Sequence, residues 1–204
     1  MPEIAKLELE RIKVPIIGTA PLLCDNWSEW ALQALRDRNA KKATIKRVYT
    51  PEEQYLATLY RVAKEDGTEA YGFPTAGFLK ATLGSFRYYG KAVKRTELVQ
   101  NIRIHGVLTK ADNQVLTEIT GEHRLREDRI GTRGGGGQLA YRAEFPEWSA
   151  VLDMEYVSTS IDESSVIKLI YGGGVGVGVG NWRPEKGGTF GTYTIDESRP
   201  VERW

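Results

Sequence analysis

The sequence predicts an α+β protein with a ferredoxin-like βαββαβ core, inserted helices, a long β-hairpin and a C-terminal glycine-rich loop. Three observations lead there. The predicted elements run strand, helices, several strands, helix, glycine run, strand. Helical spacing of apolar residues is confined to a few segments, and short β-type runs fill the middle of the chain. The 204 residues suit one domain, taken as 1–204, with the hairpin inserted around 118–145. Another α+β arrangement stays open.

Each element has its own signal. Residues 4–17, "IAKLELERIKVPII", alternate apolar and polar side chains and read as the first strand, with "GTAPLL" turning the chain. In "DNWSEWALQALRDRNAKK", Trp27, Trp30, Ala31, Ala34 and Leu35 fall at helical spacing, with Asp25 or Asn26 placed to cap. "TPEEQYLATLYRV" has a cap, Pro51 in the first turn and an amphipathic pattern, though Tyr55, Leu59 and Tyr60 also suit a strand. A helix is predicted over Thr75–Tyr89, because Phe78, Leu79, Leu83 and Phe86 recur at steps of three and four. Five β-type segments follow: "ELVQNIRIHGVL", "QVLTEIT", "HRLREDRIG", "QLAYRAEF" and "WSAVLDMEYV". "DESSVIKLIYGG" reads as a helix with Asp162 near its start, and "TFGTYTID" as the last strand.

Composition narrows the functional classes. Net charge is +1, so any affinity for nucleic acid must come from local patches. The single cysteine, Cys24, leaves no internal disulfide and fits a reducing compartment. No apolar run is long enough to span a membrane and the N-terminus lacks a signal-peptide core, so a cytoplasmic location is expected.

The densest chemical signal is "GGGVGVGVGNWRPEKGGTFG", residues 172–191. A phosphate-binding P-loop needs G-x-x-x-x-G-K-[ST], and that string is absent. The dinucleotide fingerprint needs a strand before the glycines and a helix after, whereas the predicted order here is reversed. No nucleotide cofactor is therefore expected. The insert Asn181–Lys186 places Trp182, Arg183 and Lys186 among residues without side chains, a combination suited to stacking a base and contacting phosphates of a single strand. A glycine-rich surface loop without such a role stays open.

"GVGNWRPEKGGTFGTY" resembles the C-terminal glycine-rich loop of the RAMP superfamily, the repeat-associated CRISPR proteins, in which paired Gly-x-Gly elements flank a short polar or basic insert. "GFPTAGFLKATL" is similar to that family's Pro-(Gly/Ala)-Ser-Ser-Leu-Lys-Gly segment opening a helix, with Pro74 and Lys80 in the matching places. "IIGTAPLLCDNW" resembles its first strand running into a turn. The chain departs in three ways: one extra residue separates Pro74 from Lys80, Ala81 replaces a glycine, and Gly84 stands where arginine is frequent. The wording also resembles phage-type proteins, for which the cytoplasm would be the host's. The resemblance implies an RRM-like fold that binds single-stranded RNA or DNA, often as a repeating backbone subunit and occasionally as an RNA-cleaving enzyme.

Local charge points the same way. From Phe73 to Arg95 no residue is acidic, while Lys80, Arg87, Lys91, Lys94 and Arg95 interleave with Phe73, Phe78, Phe86, Tyr88 and Tyr89. Phe78, Leu79 and Phe86 read as a core stripe; Tyr88, Tyr89 and the cations do not. A second cluster, Arg36, Arg38, Lys41, Lys42, Lys46 and Arg47, reads as a solvated helix end. In "HRLREDRIGTRGGGG", Arg124 and Arg126 share a strand face and precede Arg129 and Arg133; they either close over a strand of nucleic acid or are neutralised by Glu122, Glu127 and Asp128.

Catalytic and metal signals are sparse. No His, Cys or carboxylate spacing fits a metal, so none is expected. Cys24 lies in an apolar turn and reads as packed. The expectation is a single-stranded nucleic-acid-binding protein that self-associates along RNA or DNA. In it Gly176, Gly178, Gly180, Gly187, Gly188 and Gly191 let backbone approach phosphates, Trp182 stacks a base, and Lys80, Arg87, Lys91, Lys94, Arg95, Arg124, Arg126, Arg129, Arg133, Arg183 and Lys186 contact the strand beside Tyr88. Two alternatives stand beside it: a RAMP-type, metal-independent endoribonuclease using His105 or His123, and a non-catalytic structural subunit of a protein complex.

Overall fold

A computed structural model describes residues 6–43, 48–64, 67–90, 94–109, 114–131 and 135–204. Within them the protein is mixed α+β, with a nine-stranded sheet, a separate three-stranded sheet and five α-helices.

The first strand, β1 (Leu9–Gly18), shows why the large sheet forms. Ile12, Val14 and Ile16 are fully buried, while Arg11 and Lys13, on either side of Ile12, face outward, the period-2 pattern of a half-covered sheet. Its antiparallel neighbour β10 (Ser149–Val157) repeats this with Ala150, Leu152 and Met154, in register opposite Ile16, Val14 and Ile12. Hydrophobic residues thus meet on one face, and a slip by one residue would expose them all. On its other side β1 pairs β11 (Tyr193–Ile195) and, nearer its start, β12 (Glu202–Arg203). Beyond β10 lie β5 (Ile102–His105) and β7 (Val115–Thr120); β7 in turn pairs β4 (Glu69–Pro74) and β6 (Val107–Leu108), and β3 (Tyr60–Ala63) closes the edge. All these pairings are antiparallel.

Two helices supply the core for the buried face. They are α3 (Thr75–Gly84), through Phe78, Ala81 and Leu83, and α5 (Glu163–Gly172), through Val166, Leu169 and Ile170. Asp162 caps α5, accepting from the Ser165 amide at 2.9 Å and hydroxyl at 2.8 Å, and these donors hold its carboxyl below the usual range. The second sheet runs β2 (Leu22–Cys24), β9 (Gly137–Phe145), β8 (Arg124–Gly131), with α2 (Pro51–Ala57) against β9. Thr50 and Glu53 close a capping box on α2, whose helix stops before Tyr60 begins β3, so both patterns seen in that stretch are used in turn. Cys24 is packed, and burial pushes its thiol up. No helix among the described residues is long and apolar enough to cross a membrane.

Several predicted elements need correction. The first strand starts at Leu9, with Lys6, Leu7 and Glu8 outside it; Ile4 and Ala5 lie outside the described residues. The first helix, α1 (Glu29–Asn39), is capped by Ser28, which accepts from the Ala31 amide, so Asp25, Asn26 and Trp27 lie outside it. The helix after Pro74 ends at Gly84 and tightens into a 3-10 turn, Ser85–Tyr89. "ELVQN" is not strand but part of α4 (Arg95–Asn101), where Leu98 is buried against α3; Val99 and the following Ile102 and Ile104 make the stretch look β-like. The strand predicted as the last is only three residues long, Tyr193–Ile195, and β12 follows it.

The largest correction concerns the glycines. α5 does not give way to a loop at Gly173; it continues as a π-helical turn, Gly173–Val177, so Gly176 is helical. The reason is proximity. A Cβ on Gly173 would lie 2.7 Å from the Ala81 carbonyl, one on Gly174 would run into the Tyr193 backbone, and one on Gly176 into the Tyr88 ring. These glycines let α5 approach α3 and β11 more closely than any side chain permits.

Candidate nucleic-acid interface

Pro74 ends β4 and turns the chain into α3. Phe73 packs edge-on against Phe78 and Tyr60, both with centroids 5.7 Å away, in space left by the missing side chain of Gly77. One turn into α3, Lys80 is exposed, and within the described residues no ion pair holds it.

The opposite wall is the chain after the π turn. Gly178 (φ 71°) returns its amide to the Gly173 carbonyl at 2.8 Å, and Gly180 (φ 76°) lies so close to the Leu23 carbonyl that a Cβ would come within 2.6 Å. Asn181 then donates its amide to Leu23 O, Val179 donates to Gly191 O, and Gly191 donates to Pro21 O. The segment is therefore laid down on β2 by hydrogen bonds.

Between these walls runs a groove of about 410 Å³. Lys80, Gly178, Gly180 and Arg183 line it with Trp27, Tyr60 and Phe73. Residues about a hundred positions apart thus share one concave surface. Asp25 is also in the lining, half-exposed, and accepts from Asn181 Nδ2 at 2.7 Å.

The insert at the mouth of the groove is less open than its composition suggests. Arg183 donates from Nε and a terminal nitrogen to Glu185, at 3.1 and 2.8 Å, and from its other terminal nitrogen to Gly180 O at 3.1 Å. The guanidinium keeps the Glu185 carboxyl below the usual carboxylate range, with smaller help from Lys186 and Arg87. Trp182 is 41% exposed and takes a left-handed φ of 55°, rare for a bulky side chain. That conformation is held by the Phe190 amide donating to Trp182 O at 3.0 Å and by ring contact with Phe190 at 6.1 Å. Gly187 and Gly188 close the 3-10 turn Pro184–Lys186 through amides donated to Pro184 O and Arg183 O.

The remaining predicted residues divide. Arg87 and Tyr88 are exposed on the 3-10 turn after α3, with Arg87 over the Phe86 ring at 5.9 Å. Lys94 pairs with Glu97 at 3.3 Å, and Lys94 and Arg95 sit at the start of α4, outside the groove lining. Lys91 and Arg133, like Lys46 and Arg47, lie outside the described residues. Arg124 and Arg126 do share a strand face, but both reach Glu144, at 2.6 and 3.0 Å, and Arg126 also grips Asp128. Glu144 and Asp128 are nearly fully buried, so Arg126 neutralises interior carboxylates; its guanidinium stacks on Phe190 at 4.8 Å. Sequence reading named Asp128 as a neutralising acid but missed Glu144, which faces β8 from β9. Arg129 is exposed on the hairpin.

Neither histidine lines the groove. His123 sits in an aromatic cage of Tyr55, Tyr71 and Phe145, with Tyr55 Oη bonded to its Nδ1; burial lowers its pKa, and Arg61 adds to the effect. His105 lies on the outer face of the large sheet, 3.5 Å from Glu155. That face carries a ladder of ion pairs. Arg11 holds Asp153 bidentately at 2.7 and 2.6 Å, which keeps Asp153 below the usual range, and Arg103 holds Glu155 at 3.1 Å. Trp204 is covered by Lys13 and Arg11, at 4.5 and 5.5 Å.

No family model matches the chain, and no curated protein matches it.

Proposed function

We propose that the protein binds single-stranded RNA or DNA in the groove between α3 and the Val177–Glu185 segment, and that copies assemble side by side along the strand. The observation carrying this reading is the convergence of Lys80, a cation with no ion pair within the described residues, with the exposed ring of Trp27 and the half-buried backbone at Gly180 on one concave surface, whose floor includes Tyr60 and the buried Phe73. A cation for phosphate and an exposed ring for a base are what a strand without sequence preference needs. The outer sheet face offers an alternative platform, but its charges are already matched within the ladder of Arg11, Asp153, Glu155 and Arg103.

The strand path supports the RRM-like core that the RAMP resemblance implies. β11, β1, β10 and β5 lie side by side, each antiparallel to the next, with α3 between β1 and β5 in sequence and α5 between β10 and β11. This is the order of a split βαββαβ unit. The placement of both histidines away from the groove favours binding over cleavage.

Anisotropy of labelled oligothymidylate and oligouridylate, titrated at several salt concentrations, tests the reading. Binding is expected with a steep linear fall of log K against log salt, and Lys80→Gln is expected to make that slope shallower. Absence of binding at low salt would overturn it. Electron microscopy of protein with a long strand tests assembly: a repeating filament is expected, and isolated single copies on long strands would remove the assembly part.

A further inference from the structure

Trp27 stands apart from the other tryptophans. Trp30 stacks on Tyr49 at 4.0 Å, Trp148 contacts Phe78 and Tyr193, Trp182 contacts Phe190, and Trp204 lies under two cations. Trp27 alone among them has neither ring nor cation partner within the described residues, and it is 59% exposed. Its backbone is nevertheless fixed. The Trp27 amide donates to Asn26 Oδ1 at 2.9 Å, and Asn26 is pinned by its amide to Thr58 O and its side chain to Leu59 O. A large, bare ring on a rigid mount pays little ordering entropy when another ring stacks on it.

Its position matters as much as its freedom. Trp27 lines the Lys80 groove and also a second hollow of about 670 Å³ whose other wall is the end of α1, with Arg38, Lys41 and Lys42. Those three cations are exposed and hold no ion pair within the described residues, and the nearby Asp37 is engaged by Gln33 at 2.9 Å. Sequence alone makes this cluster look like an ordinary solvated helix end. The structure places it one tryptophan away from the groove.

We propose that Trp27 is a base-stacking platform that hands a single strand from the Lys80 groove to Arg38, Lys41 and Lys42, so that the binding track is two cationic stretches joined by one aromatic step. The proposal rests on the nucleic-acid reading above and adds its path: phosphates on Lys80, a base on Trp27, then phosphates on the end of α1. Charge selects the occupant. An uncharged apolar peptide could cover the ring but would leave the three cations unmatched, whereas a strand satisfies ring and cations together.

The test is anisotropy with an oligothymidylate and an oligouridylate of about 15 nucleotides, a length in the range such sites cover. The proteins compared are the full chain, Trp27→Ala, Trp27→Phe and the double variant K41Q/K42Q, each checked for an unchanged melting temperature. Trp27→Ala is expected to weaken binding about tenfold, the scale of one lost stack, and Trp27→Phe to recover most of it. K41Q/K42Q is expected to reduce the salt slope by about 1.4, near 0.7 for each phosphate released on a single strand. Quenching of tryptophan fluorescence on strand addition is expected to shrink in Trp27→Phe. If the unaltered protein binds while Trp27→Ala binds equally well, or if K41Q/K42Q keeps the full slope, the track ends at the groove and this proposal is overturned. If the unaltered protein binds no strand at low salt, the groove reading itself fails.

Discussion

Gly173→Ala probes why the glycines are there. The residue lies in the π-helical turn that prolongs α5, against the backbone of α3. The added methyl would sit 2.7 Å from both the Ala81 carbonyl carbon and oxygen and 2.8 Å from the Thr82 amide nitrogen. Ordinary contact begins at 3.4 Å, so α3 and the turn must separate by about 0.7 Å. No flexible side chain absorbs this, because every atom met is backbone. Overpacking of this kind costs about 1–3 kcal/mol, and the better helix propensity of alanine returns up to about 1 kcal/mol. From the middle of that cost range the net loss is about 1–2 kcal/mol, and at about 2–4 °C per kcal/mol for a chain of this size the midpoint falls by roughly 2–8 °C.

The same displacement acts on the groove, since Lys80 and Ala81 lie on one wall and Val177 and Gly178 on the other. Strand affinity is therefore expected to fall along with stability. Thermal unfolding followed by circular dichroism measures the first effect and anisotropy the second. Gly131→Ala is the control: nothing lies within 4 Å of its added methyl and its backbone is not left-handed, so no loss is expected. A Gly173→Ala protein melting at or above the unaltered chain would refute close packing as the reason for these glycines.

Other outcomes follow from single contacts. Arg126→Ala strips Asp128 and Glu144, both nearly fully buried, of a shared partner, and is expected to destabilise by about 3 kcal/mol in urea titration; a loss under 1 kcal/mol would mean these carboxylates are otherwise satisfied. Glu185→Gln removes the carboxylate charge whose Oε2 accepts two N–H groups of Arg183 and is expected to tighten strand binding severalfold at low salt, an effect that fades as salt rises; weaker binding would show that the pair itself shapes the groove. His123 has its pKa lowered in the fold, so the folded state binds fewer protons than the unfolded chain once pH drops below the usual value of 6.5. Its contribution is complete above that pH and is lost as pH falls toward the folded value, so urea midpoints are expected to decline below about pH 6.5 and to do so less steeply in His123→Phe. An identical decline in the variant would assign the effect to other groups.

Period and capping made much of this molecule legible. The alternation in Ser149–Val157, the cap at Asp162 and the cap ahead of Pro51 all stand where local chemistry placed them. What failed did so where tertiary contacts overrule local preference. Glycine disfavours helices, so Gly173–Val177 reads as loop; the close approach of Ala81 and Tyr193 compensates for that preference, and nothing within the segment announces it. For the hairpin arginines the sequence leaves strand contact and local neutralisation both open, because one of their partners, Glu144, lies on the neighbouring strand, opposite Arg124. Trp27 reads as the first apolar position of a helix, and only the cap at Ser28 removes it from that role. No spacing in the chain announces that Lys80 meets the glycine segment.

These misreadings share a physical cause that bears on the binding surface. A cation seen in sequence carries a charge, but its value to a ligand depends on whether the fold has already matched it. Arg11, Arg103, Arg124, Arg126 and Arg183 all meet carboxylates within 3.1 Å, and a phosphate would have to displace each of those partners. Lys80, Arg38, Lys41 and Lys42 meet none within the described residues and can take a phosphate without breaking anything. The near-neutral total of +1 is thus compatible with the proposed strand-binding track, because the fold matches Arg11, Arg103, Arg124, Arg126 and Arg183 with its own carboxylates and leaves Lys80, Arg38, Lys41 and Lys42 without an ion pair within the described residues.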